Sequence, residues 1–125
     1  MMRKTLAGIA QIMRWGFIDT DSGGILSDNQ VERCPWECIE DAHLLIERMV
    51  VDGWRITIIN WPPIAGQKPF KKFTFYAEKF TDERSFVDFK SEDNDFPAAV
   101  VELFCKVYSL DGSADHSGEM VHKED

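Results

Sequence analysis

The segment Cys34-Pro35-Trp36-Glu37-Cys38-Ile39-Glu40-Asp41-Ala42-His43-Leu44-Leu45-Ile46-Glu47-Arg48-Met49-Val50-Val51-Asp52-Gly53-Trp54 constrains the fold more than any other. Proline stands where a first helical turn needs no amide proton, and Glu37, Glu40 and Asp41 lie toward the positive end of the dipole. Ile39, Ala42, Ile46, Met49 and Val50 recur at helical spacing, and Asp52-Gly53 supplies a stop. The pattern predicts a helix over 35–51 whose apolar stripe needs a second layer to cover it. A matching helix is predicted over 95–109, with Asn94 or Asp95 as cap, Pro97 in the first turn and Val100, Leu103, Phe104 and Val107 on one face.

Between these helices the period changes from helical to alternating. Residues 54–61 place Trp54, Ile56 and Ile58 opposite Arg55, Thr57 and Ile59, and Pro62-Pro63 ends the run. Residues 70–78 set Phe73, Phe75 and Ala77 against Lys72, Thr74 and Tyr76, and 85–89 offers a third short strand. Leu6, Ile9 and Ile12 or Met13 predict an N-terminal helix stopped by Gly16, while the turn formers of 19–31 read as a surface loop. The expected fold is therefore α+β: a small antiparallel sheet of two to three strands on two main helices, with an added N-terminal helix. One domain is expected over 1–110, followed by a flexible acidic tail over 111–125.

Charge and cysteine usage narrow the partners. With 22 acidic and 14 basic side chains the net charge is −8, which repels phosphate backbones, so nucleic acid is not an expected partner. The acids concentrate near 32–52 and 78–95, but Arg33, Arg48, Lys79, Arg84 and Lys90 interrupt them, as on a solvated mixed-charge surface rather than an imitation of DNA. Three cysteines and the lack of a secretory pattern point to a reducing, cytoplasmic setting, and no apolar run is long enough to cross a bilayer.

Candidate chemistry is sparse. Cys34 and Cys38 would share a helix face with His43 nearby, a weak metal-ligand set, since a structural zinc site takes four ligands and no second pair follows. Asp19, Asp21, Ser22 and Asp28 resemble the opening of a calcium loop but lack its terminal glutamate. Cys105 sits in an apolar run and reads as a buried thiol. No nucleophile elbow, phosphate-cradling loop or two-histidine helix occurs, so no catalytic residue, cofactor or enzymatic activity is expected. The acidic outer face of the central helix, through Glu37, Glu40, Asp41 and Glu47 with Trp36 and Trp61, is the first place to expect a protein partner. An uncovered face of Trp36, Trp61 and Phe70 would also suit a symmetric homodimer.

The run Glu32-Arg33-Cys34-Pro35-Trp36-Glu37-Cys38-Ile39-Glu40-Asp41-Ala42, then Gly53-Trp54-Arg55-Ile56 and Asn94-Asp95-Phe96-Pro97-Ala98-Ala99-Val100-Val101-Glu102-Leu103-Phe104, resembles small phage accessory proteins of the NinX-like and ABA-sandwich families. The resemblance covers about residues 32–110 and rests on short structural motifs. It implies a phage or prophage context, a helix, sheet and helix arrangement, and a non-enzymatic protein that binds a host or phage protein. The alternative is a small-molecule or metal-binding protein using the 19–28 loop or the Cys34, Cys38 and His43 cluster.

Overall fold

In chain order the elements are α1 (Arg3–Met13), β1 (Gly16–Ile18), β2 (Ile25–Asp28), β3 (Val31–Arg33), α2 (Ile39–Val51), β4 (Arg55–Asn60), β5 (Phe73–Phe80), β6 (Ser85–Asp93), α3 (Phe96–Tyr108) and β7 (Met120–Lys123). The computed structural model describes residues 3–62, 71–83, 85–110 and 120–123. Phe70 and most of the expected tail, 111–119 and 124–125, lie outside the described residues. Among those described the fold is α+β, with three helices and two antiparallel sheets.

The larger sheet follows the alternation read from the sequence. β4 pairs with β5 from Arg55↔Glu78 to Asn60↔Phe73, β5 pairs with β6 from Phe73↔Asp93 to Phe80↔Phe86, and β7 adds along β6. Every second residue points to the face that the helices cover, so Phe75, Ala77 and Phe89 enter a core with Val100, Leu103 and Phe104 of α3 and Leu45 and Met49 of α2. Phe96 anchors the start of α3 by edge-on contacts with Phe73 and Phe75. The hydroxyl of Ser91, buried on the same face, donates to the Ala99 carbonyl at 2.7 Å.

Both helices have the expected caps or stops, with one displaced start. Asp95 accepts from the Ala98 amide and Pro97 follows in the first turn, so α3 begins where the sequence places it. α2 begins at Ile39 rather than Pro35, because the Cys34 carbonyl accepts from the amides of both Glu37 and Cys38 and closes a separate turn. Gly53, at φ +98°, ends α2 in a conformation natural to glycine. The buried side of α2 is Asp41, Ala42, Leu45 and Met49, so Ile39 and Val50 are not in the stripe expected for them and are about half exposed.

The second sheet corrects the loop reading of 19–31. β1 pairs with β2 from Gly16↔Ser27 to Ile18↔Ile25, and β2 with β3 from Leu26↔Arg33 to Asp28↔Val31. Asn29 and Gln30, with φ of 50° and 69°, form the two-residue turn between the last pair. Two successive left-handed residues match the twist of a tight hairpin, which asparagine tolerates better than most residues. Leu26 is fully buried, and Trp15 and Phe17 pack beside the same core.

Candidate functional site

The surface singled out in the sequence surrounds α2, and the structure divides it into a buried joint and an exposed side. Asp41 belongs to the joint. Its carboxylate accepts from Arg33 Nη1 at 2.9 Å and from the Cys34 amide at 2.7 Å, with the side chain only 8% exposed. Arg33 also reaches Asp28 at 3.4 Å. The hydrogen bond to Asp41 is the main reason the Arg33 guanidinium binds its proton more tightly than usual. Asp41 thus ties β3 and the turn at 34–38 to α2, and its carboxylate faces inward.

Glu37, Glu40 and Glu47 are exposed. Trp36 is half-buried against the core. Trp61 is 44% exposed and stands on the larger sheet instead, where its indole N–H donates to Thr74 Oγ1 at 2.8 Å. The structure therefore separates Trp61 from the α2 acids: it continues the β4 ladder by donating its amide to the Lys72 carbonyl.

The proposed ligand cluster is dispersed. Cys34 lies in the turn, Cys38 is the residue before α2, and His43 is exposed on the helix with its ring 5.3 Å from that of Phe96. Burial, reinforced by Glu37, pushes the Cys34 thiol up to about 11, which keeps it protonated and unreactive at neutral pH. Around the 19–28 segment, Arg3 Nε reaches Asp19 at 2.6 Å, and the Arg3 guanidinium donates to the Thr20 and Asp21 carbonyls. Arg3 supplies there the positive charge that a cation would have brought. Among the described residues no three His, Cys, Asp or Glu side chains are grouped to hold a metal ion.

A recess that sequence reading missed lies on the outward side of α2. Met13, Trp15, Leu44 and Val51 give it apolar walls, Asp28, Glu47 and Arg48 line it with charge, and its volume is about 280 Å³. Only the unexpected hairpin brings Asp28 next to the helix, so no spacing in the chain signals it. Glu47 enters this recess, while Val51 beside it is 77% exposed.

The base of α2 carries a second polar joint. The Tyr108 hydroxyl donates to Asp52 Oδ2 at 2.5 Å, Arg48 Nε donates to the same oxygen at 3.2 Å, and Lys79 Nζ donates to the Asp52 carbonyl at 2.9 Å. The Tyr108 hydrogen bond is the chief cause that holds the Asp52 carboxyl below the usual range. Burial first, then Asp52, raises the Tyr108 hydroxyl well above the usual phenol range. These bonds join the ends of α2, α3 and β5. No helix among the described residues is long and apolar enough to cross a membrane. No family model, curated protein or solved structure matches the chain.

Proposed function

We propose that this is a non-enzymatic phage or prophage accessory protein that binds a host or phage protein in the host cytoplasm, using the outward side of α2. The observation that carries the reading is the pairing of exposed acids with exposed aliphatic side chains on that helix: Glu40 and Glu47 beside Ile39, Val50 and Val51, the last three 54%, 53% and 77% exposed. A helix used only for packing gains nothing from aliphatic groups in water, whereas an apolar centre with a charged rim suits protein contact.

The recess beside Glu47 falls just under the roughly 300 Å³ at which small-molecule pockets begin and is open to solvent, so it suits one side chain of a partner. The exposed Glu37, Glu40 and Glu47 favour a basic partner surface, and the net charge of −8 disfavours nucleic acid. The phage context rests on the resemblance carried by residues 32–42, 53–56 and 94–104.

Affinity capture from bacterial lysate tests the reading with the wild type and a Glu40→Lys, Glu47→Lys double variant. The wild type retains a stoichiometric partner that weakens with added salt, and the double variant loses it. Absence of any stoichiometric partner across the salt series overturns the proposal.

A further inference from the structure

The open edge of β4 is the longest strand edge among the described residues that is left without a mate. Trp61 donates its amide to Lys72, and this fixes the phase of the ladder: Arg55, Thr57 and Ile59 direct their backbone groups to β5, while Ile56, Ile58 and Asn60 direct theirs away from it. Among the described residues no hydrogen bond reaches the outward N–H and C=O groups of those three. Exposed edges of this length are commonly protected by lysine, proline, a bulge or an inward charge. In Arg-Ile-Thr-Ile-Ile-Asn the one charge is Arg55 at its first position, no proline or bulge interrupts it before Pro62, and its register with β5 is unbroken over six pairs. Ile58, on the helix-covered face of the strand, is still 43% exposed.

We propose that β4 is the seam of a symmetric homodimer, in which two copies pair antiparallel and join their larger sheets into one. A twofold axis at Ile58 places Ile58 against its own copy, Ile56 against Asn60, Thr57 against Ile59 and Arg55 against Trp61. In that register all outward backbone groups of Ile56, Ile58 and Asn60 find partners, giving about six interchain hydrogen bonds. The neighbouring register centred on Thr57 sets Asn60 against Trp54, whose amide is already committed to the Met49 carbonyl at 3.0 Å. The Ile58 register is therefore the one that satisfies the edge.

The edge's self-complementary register selects a second copy as the occupant, and the local charge permits it. Two chains of net −8 repel each other, and a stable contact must avoid bringing carboxylates together. From Arg55 through Trp61 the edge holds no carboxylate and one cation. Arg55, which has no ion pair among the described residues, would face the partner's indole on the outer face, an arrangement in which the cation meets an aromatic ring. Next to the seam, the side of α2 with Ile39, His43, Ile46 and Val50 approaches Phe96, which touches Phe73 and Phe75, the register partners of Asn60 and Ile58.

Sedimentation equilibrium tests the seam on the full chain. The wild type reaches about twice its 14.4 kDa mass as concentration rises, and association strengthens with salt as the net charges are screened. The N–H that Ile58→Pro removes points away from β5, so the variant keeps the β4–β5 ladder and is expected to sediment as a monomer with its circular dichroism retained, its melting lowered by the lost Ile58 packing. Should that variant fail to fold, Ile58→Lys and Ile58→Glu decide the matter: each alone is monomeric, and mixing them restores the dimer because residue 58 faces residue 58. A wild type that stays at single mass at the highest attainable concentration overturns the proposal. So does an Ile58→Lys protein that still dimerises, or a mixture of the charged variants that does not associate.

Discussion

The larger sheet sends Phe75, Ala77 and Phe89 into the core, whereas the small sheet contributes Leu26 as its one fully buried side chain and is tied to α2 by the Arg33–Asp41 pair. Apolar burial is non-directional and distributed over many neighbours, so losing part of it weakens the whole core. An ion pair depends on two groups in one geometry, so its loss is felt first where it acts. The larger sheet is therefore expected to behave as the body of the fold, and the small sheet to open first while the rest stays folded.

Phe75→Ala is the harshest way to break this contrast. It removes a fully buried ring from the centre of the larger sheet and is expected to cost about 3–5 kcal/mol. Chemical denaturation followed by far-ultraviolet circular dichroism should show a single transition moved to lower denaturant.

Asp41→Ala comes next, at about 2–3 kcal/mol. The value stays below the fully buried range because Arg33 is 23% exposed and keeps Asp28. Hydrogen exchange should speed up in β2 and β3 well before it does in β5. Equal acceleration in both sheets would show that they form one cooperative unit.

Tyr108→Phe is the mildest change, about 1–2 kcal/mol, and it sharpens the comparison by testing a polar joint on the larger sheet's side. Asp52 has a lowered folded value, so its contribution is present above the ordinary 3.8 and is lost as pH falls through the folded value. Tyr108 has a raised value, so its contribution is complete below the ordinary 10.0 and is lost as pH climbs beyond that toward the folded value. The stability gap between wild type and variant should be widest at neutral pH and narrow on both sides. Urea titrations across pH check this; a gap independent of pH would assign the tyrosine's effect to packing alone.

Much of α3 and the larger sheet was legible because local signals and tertiary burial agree there. Asp95 and Pro97 start a helix on any scaffold, and the alternation of Phe73, Phe75 and Ala77 has one sensible inner face. The small sheet was hidden because its strands are three, four and three residues long, below the length at which alternation can be recognised. Its turn residues therefore dominated the reading. Asp28-Asn29-Gln30-Val31 was the available hint, an asparagine between short segments that can pair.

The candidate surface divides the same way. Glu40 and Glu47 were legible as an exposed acidic side because charge in the middle of an amphipathic helix seldom goes inward. Asp41 differs from them only in having Arg33 and the Cys34 amide within reach, and those partners arrive through the hairpin and the turn. A carboxylate's burial depends on the donors that meet it, and its own position in the helix does not encode them.

By itself the sequence determined the helices, their polarity, the alternating strands between them, and a net charge of −8. Those properties arise from neighbours three, four or two residues apart, so the chain states them locally. Tertiary structure alone decided that 16–33 forms a sheet, that α2 turns Ile39 and Val50 outward, that Asp41 becomes a joint, and that β4 stands at an edge. Each of these depends on which distant groups compete for the same buried surface and hydrogen bonds, and that competition is settled only when the layers meet.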